Sequence, residues 1–146
     1  MRKVFVSIMG TLTLASALSA GEKNMMHCFA FTAIEKASPA EWEGFYKSSD
    51  ALPKKIKVVK RVWYGKLRAP LATFAIDAEP RKKLVAGEKS VTTAVTYRPR
   101  QYGMCIELKG NDALNLYTDA PYHKEWVAAY EKVRVAGTTT YDILGQ

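Results

Sequence analysis

Bulky and small side chains alternate from Met26 to Ala33. Odd positions carry His27, Phe29, Phe31 and Ala33, and even positions carry Met26, Cys28, Ala30 and Thr32. A period of two predicts a β-strand with one aromatic face and one face of smaller groups. Ser38-Pro39-Ala40-Glu41 then has the form of a helix start, with a capping serine, a proline at the first helical position and a glutamate that completes a capping box. Trp42, Phe45, Tyr46, Ser49 and Leu52 follow on one helical stripe, and Pro53 is expected to end the helix. A second strand is predicted over Lys57 to Tyr64, and a further core strand over Arg100 to Leu108. Gly110-Asn111-Asp112 opens a short helix. Asp119-Ala120-Pro121 opens another, with Asp119 as its expected cap. On it His123, Trp126, Val127 and Tyr130 recur at i, i+3, i+4 and i+7. The last strand is expected over Val133 to Leu144.

The stretch between the second and third core strands fits this pattern poorly. Leu71 to Ile76 and Val91 to Tyr97 read as short strands flanking Glu79-Pro80-Arg81-Lys82-Lys83 and Gly87-Glu88-Lys89, so a basic β-hairpin or flap is expected as an insert over about residues 67–98. A connection this long between core strands is seldom neutral filler. Without it the order is β-α-β-β-α-α-β, which predicts an α+β ferredoxin-like sandwich, an antiparallel sheet with its helices on one face. The other face would stay open and carry Cys28, Ala30, Thr32, Cys105 and Glu107. A large exposed sheet face usually meets a partner, most simply a second copy of the chain.

The chain has 146 residues, one domain's length, and its 48% apolar and 25% charged residues are those of a globular protein rather than a disordered one. Residues 1–20 stand apart: Met1-Arg2-Lys3 is basic, Val4 to Leu18 carries no charge, and Ser16 to Ala20 supplies small residues. This is the layout of a secretory signal peptide, so the protein is expected to be exported, periplasmic or secreted, as a domain spanning 21–146. A retained N-terminal anchor is the other reading of that segment. No later stretch is apolar enough to span a bilayer. From Lys54 to Arg100 thirteen lysines and arginines face three acids, a local net charge of +10. Such a stretch could attract a polyanion, although a solvated surface is the commoner explanation, and the export signal and the lack of any nucleic-acid motif argue against nucleic acid. Cys28 and Cys105 are the two cysteines. Both fall on the small-residue face. If the first and third core strands pair in register they could form a disulfide; otherwise they are two buried thiols.

Four segments of the chain resemble the stress-responsive α/β-barrel (Dabb) family: Met26-His27-Cys28-Phe29-Ala30-Phe31, Leu52-Pro53 through Val62-Trp63-Tyr64-Gly65-Lys66, Tyr117-Thr118-Asp119-Ala120-Pro121-Tyr122-His123, and Thr140-Tyr141-Asp142-Ile143. The sequence departs from the pattern at Asp119-Ala120, where the family often has a histidine just before the proline, and in its long basic insert. The resemblance implies a ferredoxin-like fold whose two copies join sheets into a dimeric α/β barrel. Plant polyketide cyclases of the family use the opening-strand histidine, the tyrosine and the last histidine of the motif. The matching positions here are His27, Tyr117 and His123. A further tyrosine of those cyclases aligns with Ser49, with Tyr46 one turn earlier.

The chemistry of the side chains is compatible with that implication. His27 and His123, the only histidines, both lie on apolar faces and could approach one cleft. A neutral imidazole donates and accepts hydrogen bonds and suits the removal of a proton beside a carbonyl. Tyr117 could donate to the developing enolate oxygen. The same two histidines could instead tie strand and helix ends to backbone carbonyls. Most of the nearby aromatics belong to the core, with Phe29, Phe31, Tyr46 and Trp126 as the candidates to line a ligand pocket. Two histidines without a ligand-spacing motif argue against a metal site, and no cofactor is required by the sequence. The expectation is a homodimer that binds a small apolar or aromatic carbonyl compound, as a cyclase-, isomerase- or lyase-like enzyme or as a non-catalytic binding or stress protein.

Overall fold

The structure is a computed structural model and describes residues 23–145. The expected signal peptide, 1–20, lies outside the described residues. The chain runs β1 (Met25–Phe31), α1 (Pro39–Lys55), β2 (Val59–Leu71), β3 (Phe74–Ile76), α2 (Ala78–Val85), β4 (Val95–Tyr97), β5 (Arg100–Leu108), α3 (Ala113–Thr118), α4 (Pro121–Tyr130) and β6 (Thr139–Leu144). The main sheet has the order β2-β5-β1-β6, antiparallel throughout. This is the ferredoxin-like arrangement, with β1 and β5 as the central pair.

The period-two pattern of β1 sorts its residues as expected. Met25, Phe29 and Phe31 join Met104, Ile106 and Leu108 of β5 in a core closed by Phe45 and Leu52 of α1, Tyr117 of α3, and Trp126 and Tyr130 of α4. The capping box forms: Ser38 Oγ accepts from the Glu41 backbone N–H at 3.3 Å, and the Ser38 N–H donates to Glu41 Oε2 at 2.7 Å. α1 nevertheless continues past Pro53 to Lys55. Leu52 is fully buried, and the Ile56 N–H still reaches the Leu52 carbonyl at 2.9 Å, so packing holds the last turn despite the missing donor. Asp119 does not cap α4. It ends α3, and the N-cap position belongs to Ala120. The last strand begins at Thr139 rather than Val133. Val133 is instead a fully buried core residue, and Arg134 makes an isolated bridge to Ala33.

The insert differs most from expectation. β2 extends to Leu71, beyond the predicted end at Tyr64, with an irregular register between Lys66 and Leu71. The hairpin expected over 67–98 is a short β3–β4 ladder interrupted by helix α2. α2 buries no residue and so has no apolar stripe for sequence periodicity to detect. Its ends suit the helix dipole, with Glu79 in the first turn and Lys82 and Lys83 in the last.

On the face opposite the helices, Cys28 and Cys105 stand in register with Cα atoms 4.2 Å apart and are joined by a disulfide. That separation matches the closer of the two antiparallel pair types. The Leu67 side chain lies against Gly103, where a Cβ would come within 2.9 Å of Leu67 Cδ2. The absence of a side chain at 103 leaves room for Leu67 on this face.

Candidate functional site

One hollow of about 200 Å³ opens between the sheet and the start of α4, lined by His27, Phe29, Tyr117, Thr118, His123, Trp126, Val127, Tyr130, Arg134, Thr138 and Thr140. It brings together the three polar residues that the sequence singles out. The Tyr117 ring centroid is 6.0 Å from that of His27 and 4.6 Å from that of His123. His27 of the central strand β1 meets the helix this way because β1 presents it on the helix side, next to Phe29 (5.7 Å), while α4 turns His123 and Trp126 (5.7 Å apart) inward on one stripe.

Of the four expected lining aromatics, Phe29 and Trp126 border the hollow and Phe31 and Tyr46 do not. Phe31 lies two residues further along β1, about 7 Å away, within the core cluster of Phe45, Tyr102 and Tyr130. Tyr46 faces β2 and stacks on Tyr64 at 5.5 Å. Ser49 is buried and accepts a hydrogen bond from Trp126 Nε1 at 3.0 Å. It holds the tryptophan against the hollow from the rear.

Sequence reading missed Asp142. On β6 it pairs directly with His27, and its Oδ1 lies 2.6 Å from His27 Nδ1. A carboxylate can only accept, so a neutral His27 places its proton on Nδ1 and leaves Nε2 with a free lone pair. A base held by a second group in this way is a recurrent catalytic arrangement. The signal available in the sequence was a lone acid inside a strand, in Thr-Tyr-Asp-Ile-Leu, but its meaning depends on the β1–β6 register.

Burial decides the protonation of the other two groups. It pushes the His123 imidazole below its ordinary value, opposed by a hydrogen bond to the Thr118 backbone, with the charge of His27 acting in the same direction as burial. It also pushes the Tyr117 phenol well up. The Tyr117 hydroxyl is buried without a protein partner, so it remains a protonated donor available to a ligand. Because the pKa of His123 is lowered in the native state, between the ordinary 6.5 and the native value the unfolded chain holds a proton that the folded one does not. Stability therefore falls as pH drops through that window. The expected result is a His123 imidazole titration by NMR with a midpoint below 6.5, and a His123→Gln variant whose urea midpoint declines less steeply between neutral pH and about pH 5. A midpoint at or above 6.5 would refute the assignment.

A second hollow, of about 580 Å³, lies on the open face beside the end of β2. It is lined mainly by Cys28, Ala30, Trp63, Leu67, Leu71, Gly103, Cys105 and Tyr141. Its lining is mainly apolar, with Tyr64 and Lys66 at its margin, and neither histidine reaches it. Trp63, Tyr141 and Ile143 are exposed on this side. Glu107 is buried there, bonded to Arg61, within 3.5 Å of Lys60 Nζ, and 2.8 Å from Asn24 Nδ2. The hydrogen bond from Arg61 keeps the Glu107 carboxyl below its usual range. Among the described residues, no three histidine, cysteine, aspartate or glutamate side chains come together as a metal centre would require, and no helix is long and apolar enough to cross a membrane.

No family model and no curated protein matches the chain. Solved structures do. The hydroxynitrile lyase from Passiflora edulis superposes with a TM-score of 0.56 at 6% identity, over 85% of this chain and 94% of its own. A dimeric ferredoxin-like protein of unknown function from Thermobifida fusca gives 0.54 at 17%, over 84% and 92%. A Dabb family protein with a ferredoxin-like fold from Mesorhizobium loti gives 0.52 at 13%, over 86% and 99%. By its fold, the chain is a ferredoxin-like α+β domain, and the solved structures of like fold include a Dabb family protein.

Proposed function

We propose that the protein binds a small apolar or aromatic carbonyl compound in the hollow between β1 and α4 and carries out proton-transfer chemistry on it, of the cyclase, isomerase or lyase kind. One observation carries this reading: His27, Tyr117 and His123, from three separate elements, border one hollow. His27, oriented by Asp142, removes a proton beside the carbonyl through Nε2. The unpartnered Tyr117 hydroxyl donates to the oxygen as negative charge develops on it. His123, held neutral by burial, donates or accepts as the step requires. The hollow is walled by Phe29, Trp126 and Tyr130, which exclude water and suit a planar ligand. A hydroxynitrile lyase shares the fold, so this scaffold can carry lyase chemistry.

The protein would act as a homodimer and outside the cytoplasm. The exposed Trp63, Tyr141 and Ile143 on the open sheet face favour a second copy covering it, and the solved proteins of like fold from Thermobifida fusca and Bacteroides fragilis are described as dimeric. The Cys28–Cys105 disulfide suits an oxidising compartment, in keeping with the signal-like layout of residues 1–20.

A thermal-shift screen of aromatic and polyketide-like carbonyl compounds tests the site. A ligand at a hundredfold excess over its Kd should raise the wild-type Tm by roughly 10 °C. That rise should vanish in His123→Ala and shrink in Asp142→Asn. Equal shifts in all three proteins would place binding elsewhere and end this reading.

A further inference from the structure

The end of the hollow away from the histidines is cationic. Arg134, just beyond α4, lines it beside Thr138 and Thr140, with its guanidinium 4.8 Å from the centroid of the Tyr130 ring. Arg100, the first residue of β5, points to the same side of the sheet as the core residues Met104 and Ile106. Its Nη2 sits about 4.0 Å from where a side chain at Gly137 would begin, next to Thr138. Both guanidiniums lie near enough to the Tyr130 hydroxyl to favour its ionised form against the effect of burial.

These cations are poorly partnered. Arg100 is 8% exposed. Its Nη1 donates to Thr32 Oγ1 at 3.2 Å, its Nε is buried with no partner, and among the described residues no carboxylate pairs with it. Arg134 donates from Nη2 to Glu131 at 3.2 Å, yet its Nε is also buried and unpartnered, as is the Tyr130 hydroxyl. A guanidinium is always charged, and a buried charge without a counter-ion is costly. Arg134 Nε and the Tyr130 hydroxyl, two donors left unsatisfied on residues that line one end of the hollow, are what an anionic ligand would complete. The hollow's 200 Å³ is smaller than the about 300–1,000 Å³ of sites for drug-sized ligands, which limits the ligand to roughly one ring with short substituents.

We infer that the ligand is a small aromatic or apolar oxo acid, its carboxylate held by Arg134 and the Tyr130 hydroxyl, with the charge of Arg100 behind them, while its carbonyl faces His27 and Tyr117. This rests on the reading of the His27–His123 hollow as the ligand site and specifies the ligand's class. Charge at one end and a carbonyl at the other also fix which proton His27 can reach.

Calorimetric titration with 4-acetylbenzoate, whose carboxylate and ketone sit at opposite ends of one ring, and with its uncharged methyl ester tests the inference. Wild type should bind the acid at least tenfold more tightly than the ester. Arg134→Gln, whose wild-type side chain is 19% exposed and so tolerates replacement, should weaken acid binding at least tenfold more than ester binding and so abolish that preference. Arg100→Gln, which removes a charge behind the site, should narrow the preference by less. An ester bound as tightly as the acid by wild type, with both weakened by His123→Ala, would overturn the anionic ligand and leave the site standing. Acid binding lost in Arg134→Gln but undiminished in His27→Ala and His123→Ala would instead overturn the His27–His123 reading. Failure of both compounds to bind at millimolar concentration overturns the proposal.

Discussion

A Cys28→Ala, Cys105→Ala double variant is expected to lose about 4 kcal/mol of unfolding free energy. The bond closes a chain separation of 77 residues, and the chain-entropy relation for a loop of that length gives about 4–5 kcal/mol at 25 °C. It also joins the two central strands, which pair continuously from Met25–Leu108 to Phe31–Tyr102. A domain of this size has roughly 5–15 kcal/mol in all, so the loss is a large part of the total. With a urea slope of about 1–3 kcal/mol per molar, the midpoint should fall by roughly 2 M. Reduction of the wild type with a strong thiol should reproduce most of the change. A drop under about 1 kcal/mol would show that the sheet pairing already supplies the constraint.

Phe31→Ala is expected to cost about 3–5 kcal/mol, the range for deleting a buried phenylalanine. Phe31 is 1% exposed, and its ring contacts those of Tyr130 at 5.0 Å, Tyr102 at 5.7 Å and Phe45 at 6.0 Å. The cavity opened would lie directly behind Tyr130, which borders the hollow. Ligand affinity should therefore fall together with stability, although Phe31 does not line the site. Tyr46→Ala, at the edge against Tyr64, should cost far less and leave affinity unchanged. Chemical denaturation of both variants checks the ranking, and a loss below about 2 kcal/mol for Phe31→Ala would show that the core collapses around the gap.

Much of the frame was legible because its signals are local. Alternation along β1 assigns His27 and Phe29 to one side and Cys28 to the other from neighbours alone. Ser38 and Glu41 mark the start of α1 within four residues. α2 escaped notice because none of its residues is buried, leaving no apolar period to read. Pro53 misled because the local penalty for proline is set against the packing of Leu52, which no short window contains. Phe31 and Tyr46 were placed at the ligand by aromatic character, whereas two residues along a strand or one turn of a helix moves a ring from hollow to core or rim.

Which side of β1 is apolar and where α1 begins could be read from the spacing of near neighbours, and the resemblance to the Dabb family marked His27, Tyr117 and His123 as candidates. That Asp142 stands opposite His27, that Cys28 meets Cys105, and that Arg134 lies over the Tyr130 ring emerges only once the strands and helices pack. The physical reason is register. Sliding a strand by one residue turns every side chain to the other face, and the pairing that prevents it is set by contacts among residues many tens of positions apart.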